Sequence, residues 1–210
     1  MKDPEKINSV RTKLKVGLST AKFLIDRFDD VDLAIEFWKK QIEEEQKNHL
    51  NQKYENLEKF YYFENEYCFP ILNDSDKTEI KALTTYYCSE LWNKYISESK
   101  KHLMLINYPD EWKIKNEIGN QYNWQKDWNE NNIEAFNKNV KPLINWQEDD
   151  LVLFFWNKHT GIESKWSVIC KYWISFLYDD ESNVIINPKS TKVILLTTNG
   201  NLSIAERDKK

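Results

Sequence analysis

Apolar residues at Leu14, Leu18, Ala21, Ile25 and Phe28 recur at spacings of four, three, four and three, which lays them along one helical face. Asp29 is placed to cap a second helix, with Phe28 and Leu33 as its hydrophobic staple, and the stripe resumes at Val31, Ile35, Trp38 and Ile42. Beyond Ile42 the chain turns polar. Residues 6–57 are therefore predicted to form a helical hairpin whose second arm ends in solvent. From Phe60 the run FYYFENEYCFPI reads as strand or extended chain until Pro70 stops it. Asp76 and Glu79 have capping-box spacing, and Thr84 offers a later start, for a helix through Leu91, Trp92, Tyr95 and Ile96. The sequence around Pro109 and Gly119 reads as loop, followed by a short helix near Asn132–Val140 that Pro142 ends.

The last third is more regular. Leu151–Trp156 is a continuous apolar run between Asp150 and Asn157, the length of a buried strand. The NKHTG turn sends the chain back along Ile162–Trp166, and Val168, Tyr172, Ser175 and Phe176 have helical spacing until the acidic turn at Asp179, Asp180 and Glu181. Strands are predicted at Asn183–Ile186, Lys192–Thr198 and Leu202–Ala205, with Asn199-Gly200 as a two-residue hairpin turn between the last two. The fold class that follows is α+β: a mainly antiparallel sheet with packed helices in residues 58–210, preceded by the helical extension of residues 1–57.

Composition adds limits. The 210 residues are 40% hydrophobic, enough for one substantial core. No apolar run approaches a membrane span and the N-terminus lacks a secretory apolar segment, so a cytoplasmic protein is expected. Cys68, Cys88 and Cys170 are too scattered to suggest a disulfide framework or a zinc site. The net charge of −4 argues against nucleic acid as the main partner. Residues 109–150 carry nine acids against five lysines, which accounts for the whole excess, and they also hold Trp112, Trp124, Trp128 and Trp146.

The tract containing Ile162, Glu163, Trp166, Val168, Trp173, Phe176, Leu177, Asp179 and Asp180, with Ile144 and Trp146 upstream, resembles a family of uncharacterised bacterial proteins carrying a domain of unknown function. The resemblance extends back through Leu91, Trp92 and the aromatic residues 61–63, covering roughly residues 55–207. It implies an α+β domain and no established activity. In composition the chain is also similar to bacterial toxin-immunity proteins, which are small, acidic and rich in Trp and Tyr.

Two kinds of site compete. Trp112, Trp124 and Trp128, with Asp127 and Glu130, would form an aromatic anchor inside an acidic rim if the indoles are exposed, a surface suited to a basic protein partner such as a toxin. Burial of the indoles as satellite core is the alternative. Glu163, beside strand residues, has the position of a partly buried carboxylate that could serve as a general acid, and His159 lies in a turn where it could titrate near neutrality. The plainer alternatives for Glu163 are a helix cap or a pair with Lys165. No nucleophile elbow, HExxH pair or phosphate-cradling glycine loop is present, and no cofactor is expected. Asp74, Asp76 and Thr78 mimic the start of a calcium loop. Glu79 then stands where its glycine is needed and Thr85 where its bidentate Glu belongs, so no metal is expected there.

Overall fold

Three helices, α1 (Pro4–Leu14), α2 (Leu18–Phe28) and α3 (Val31–Asn51), fill the N-terminal unit of the computed structural model. The structure describes residues 3–60, 72–105, 113–177 and 182–207, the side chains at 44–46, 48–49, 59, 105 and 115–121 excepted. The predicted first arm is divided in two. Lys15 takes a left-handed conformation (φ 54°) that ends α1, and Gly17 caps α2, so Leu14 and Leu18 belong to different helices. The turn after α2 also differs from expectation. Asp29 ends α2 with φ 48°, and the N-cap of α3 is Asp30, whose Oδ1 accepts from the Leu33 N–H at 2.8 Å. Leu33 stands exposed in place of forming a staple, and the Phe28 ring packs on Phe37 at 4.9 Å. Val10, Ala21, Leu24, Ile25 and Ala34 form this unit's own small core.

The second compact unit, Gln52–Lys210, is built on one eight-stranded antiparallel sheet. Its strands are β1 (Tyr54–Glu55), β2 (Lys81–Leu83), β3 (Ile114–Asn123), β4 (Leu151–Asn157), β5 (Thr160–Lys165), β6 (Asn183–Ile186), β7 (Lys192–Leu196) and β8 (Asn201–Arg207). They lie in the order β1-β2-β5-β4-β6-β7-β8-β3. Tyr54 and Glu55 pair with Leu83 and Ala82, which places residues that pattern assigns to the N-terminal extension on the edge of this sheet.

The apolar run at 151–156 is uninterrupted because β4 is covered on both faces. Val152, Phe154 and Trp156 enter one core beneath α8 (Trp166–Phe176), while Leu153 and Phe155 enter another beneath α5 (Thr85–Tyr95), which contributes Cys88 and Trp92. Both of these cysteines, Cys88 and Cys170, are buried and free. Thr84 caps α5 through the Tyr87 N–H, and Asn73, not Asp76, caps the short α4 (Asp74–Thr78). Asn199-Gly200 does turn the chain, in a three-residue loop. Gly200 N–H donates to the Thr197 carbonyl at 3.0 Å, Thr197 N–H donates to the Asn201 carbonyl at 2.9 Å, and Gly200 holds φ +80°, a conformation that favours glycine.

The acidic segment departs most from its sequence pattern. Gly119 lies in β3, an edge strand paired with β8, and not in a loop. Register shifts between Lys115 and Glu117 and between Ile118 and Tyr122 break the alternation that would announce a strand. Two short helices follow, α6 (Trp124–Asn129) and α7 (Glu134–Asn139). The strand-like run at 61–70, Cys68, Pro109, Trp112 and the acidic turn at Asp179, Asp180 and Glu181 lie outside the described residues. No helix among the described residues is long and apolar enough to cross a membrane.

Candidate functional site

The acidic segment sends its indoles inward. Trp124 begins α6, bonds its backbone N–H to the Gly200 carbonyl at 2.9 Å and is fully buried in the main core, so it offers a partner no surface. This corrects the expected anchor at that position: an indole next to the β7–β8 turn gains more by closing the end of the sheet than by standing in water. Trp128 is half-buried, and its Nε1 donates to the Ile174 carbonyl at 3.0 Å. Trp146 packs edge-on against Trp166 with ring centroids 5.0 Å apart. Asp127 is spent on local structure, accepting from the Tyr122 hydroxyl and, at 2.7 Å, from the Asn132 amide. Burial and then this carboxylate push the Tyr122 phenol upward.

What the segment does expose is a short stretch between α6 and α7. Ile133 is 44% exposed, and the carboxylates of Glu130 and Glu134 have no hydrogen bond or ion pair with any described residue. Asn131, with φ 51°, turns the chain between them in the left-handed region that Asn tolerates. Asn131, Ile133 and Glu134 form one wall of a groove of about 420 Å³. The other wall is the second half of α8, with Lys171, Tyr172, Ile174 and Ser175.

Two indole bonds fix the walls. Trp173 Nε1 donates to the Ile133 carbonyl at 2.9 Å, and Trp128 Nε1 donates to the Ile174 carbonyl at 3.0 Å. Ile174 is in the last turn of α8, where carbonyls lack helical partners, so the second bond also caps that helix; Trp156 does the same for the Phe176 carbonyl at 2.8 Å. At Tyr172 the helix leaves α geometry (φ −116°, ψ 18°).

The Lys171 ammonium and the Tyr172 hydroxyl both donate to Asp76 Oδ2, each at 2.6 Å, which ties α4 to the groove wall. Lys171 and then Tyr172 hold the Asp76 carboxyl below its ordinary value. A carboxyl depressed in the folded state contributes its stabilisation fully above its unfolded value, about pH 4, and loses it as pH falls through the lower folded value. The expected result is an acid-side loss of stability that Asp76→Asn flattens, read by thermal unfolding between about pH 5 and pH 2. An unchanged profile in that variant would show that the link carries no stability.

Glu163 and His159 are not brought together. Glu163 lies on the α5 side of the sheet with its side chain 15% exposed, accepting from the Tyr54 hydroxyl at 2.9 Å and standing 3.8 Å from the Lys81 ammonium. Burial and the Glu163 carboxylate push the Tyr54 phenol upward. Neither plainer alternative for Glu163 holds: Lys165 pairs with Glu79 at 3.1 Å, and α8 has no side-chain cap. His159 is exposed and places Nδ1 3.0 Å from Ser89 Oγ. Burial, followed by the charges of Lys101 and Lys158, lowers its pKa, so the ring is neutral at pH 7.

Pattern alone misses Ile133, Glu134, Lys171 and Tyr172 as a set. The one local signal is Ile133 itself, a lone aliphatic residue in the polar stretch NENNIE. Over residues 53–205 the chain matches the family described as "Protein of unknown function (DUF2947)", in agreement with the extent of the resemblance carried by the Ile162–Asp180 tract. No curated protein and no solved structure matches it.

Proposed function

The chain belongs to the DUF2947 family of proteins of unknown function, and from the groove beside its acidic segment we propose a non-catalytic protein-binding domain for a basic partner, a bacterial toxin being one such partner. The observation that carries this reading is the exposed Ile133 flanked by the carboxylates of Glu130 and Glu134, which have no partner among the described residues, at the edge of a preformed groove. An arginine side chain from the partner has the matching chemistry. Its aliphatic stem covers Ile133 and Ile174, and its guanidinium meets Glu134. Lys171 does not repel it strongly, because Asp76 already neutralises that ammonium at 2.6 Å. The Trp112, Trp124 and Trp128 anchor set is thereby replaced by Ile133 and the groove wall, while Glu130 keeps its place in the rim.

The indole N–H groups of Trp128 and Trp173 make a built-in reporter, since each is bonded to a carbonyl of a groove residue. Titrating short apolar peptides that carry arginine into isotopically labelled protein should shift these two indole signals, and the matched aspartate peptides should leave them in place. Equal shifts with both peptides, or none with either, would contradict the reading.

A further inference from the structure

A second constellation lies on the opposite face of the sheet from α8, where α5 meets the β4–β5 turn. Ser89 on α5 meets the turn: its hydroxyl donates back to the Thr85 carbonyl at 2.8 Å or to the Lys158 carbonyl at 3.2 Å, and its Oγ lies 3.0 Å from His159 Nδ1. The loop after α5 is fastened to the same turn. Lys158 N–H donates to the Lys101 carbonyl at 2.8 Å, and Lys158 Nζ donates to the Glu98 carbonyl at 2.9 Å. Within that loop the Lys100 carbonyl accepts from Trp92 Nε1 at 2.8 Å, and the Lys100 N–H donates to Ser97 Oγ at 3.2 Å. Residues some sixty positions apart in the chain are thus held together as one cationic surface. Holding like charges close costs free energy unless an anion offsets it.

The carboxylates near it among the described residues are engaged elsewhere. Glu98 is engaged by Lys113 at 2.6 Å, Glu90 is engaged by the Tyr86 hydroxyl, and the Lys101 ammonium is exposed without a partner among the described residues. Lys158 uses one of its three donors on a carbonyl and keeps two. We propose that Ser89, Lys101, Lys158 and His159 form a binding site for a phosphate dianion, either inorganic phosphate or a phosphate monoester. Two ammonium groups supply the charge, and the imidazolium, oriented by Ser89 Oγ against its Nδ1, supplies a directional donor to a tetrahedral oxyanion. The patch is too small to follow a nucleic-acid backbone, which asks for an extended basic track.

His159 makes the site testable. Burial and then the charges of Lys101 and Lys158 disfavour the imidazolium; a bound dianion offsets those charges and favours protonation. Ser89, Lys101 and Lys158 are the groups that face the ring, with Glu90 and Glu98 already committed.

The experiment follows the His159 ring signals by NMR across pH in the full chain, with His159→Gln assigning them among the three histidines. Saturating inorganic phosphate should raise the His159 midpoint by about one unit, which corresponds to roughly tenfold tighter binding by the protonated form. Sodium chloride at equal ionic strength should not. Lys101→Gln should weaken phosphate binding roughly tenfold, because it removes a charge-assisted bond. Lys126→Gln, an exposed lysine of α6, should change nothing. Phenyl phosphate binding more tightly than inorganic phosphate would identify an ester-borne group, and equal binding the free ion; both outcomes support a phosphate site. A midpoint that moves equally in chloride, or phosphate binding unaltered by Lys101→Gln, would overturn it.

Discussion

Trp173→Ala is expected to destabilise the Gln52–Lys210 unit by about 3–5 kcal/mol, the range for removing a buried indole from a packed core. Trp173 is 1% exposed, stacks on Phe136 with centroids 5.4 Å apart and donates to the Ile133 carbonyl. Its loss opens a cavity under α7 and also frees the groove wall from its indole bond, which adds about 1 kcal/mol. For a unit of this size the transition should move down by roughly 10 °C or more. Trp124→Ala should behave alike, because Trp124 is equally buried, whereas an exposed anchor would cost affinity and leave stability alone. Thermal unfolding of the two variants beside the parent decides this. Parent-like transitions would mean that these indoles are not core.

The opposite profile is expected at the rim. Glu130→Lys with Glu134→Lys should leave stability within about 0.5 kcal/mol of the parent, since both carboxylates are exposed and have no partner among the described residues. Affinity for an arginine-bearing partner should fall roughly tenfold or more at low salt, because two attractions become two repulsions, and the difference should shrink as salt screens them. Calorimetric titration at two ionic strengths measures both effects. A salt-independent loss would point to altered groove shape instead of charge.

Legibility in the sequence followed how local each cause is. β4, β5 and α8 were readable because neighbouring residues carry their own periodicity, and the continuous run at 151–156 signalled a strand covered on both faces. The turn at Asn199-Gly200 was readable as a turn. Its length depended on Thr197 and Asn201 closing a three-residue loop. β3 was hidden because its two register shifts erase alternation and its partner, β8, lies at the far end of the chain. The break at Lys15 was hidden because a lysine in the left-handed region leaves no compositional mark.

The candidate site was legible in charge and not in shape. The acid excess of residues 109–150 marks the segment that contains the Ile133 wall of the groove. Which side chains face water depended on Trp128 and Trp173 finding carbonyls of Ile174 and Ile133, contacts that cross between distant stretches of sequence. Asp76 had two sequence-level readings, a cap and a calcium-loop position, and its partners turned out to be Lys171 and Tyr172, almost a hundred residues away.

The most direct test of a charge-complementary groove is a charge swap. Binding of an arginine-bearing peptide and of the same peptide with glutamate in place of arginine is measured against the parent and against the Glu130→Lys, Glu134→Lys variant. The groove reading predicts that the parent prefers arginine, that the variant prefers glutamate, and that the Trp128 and Trp173 indole signals report both. A variant that binds the arginine peptide as the parent does would contradict it.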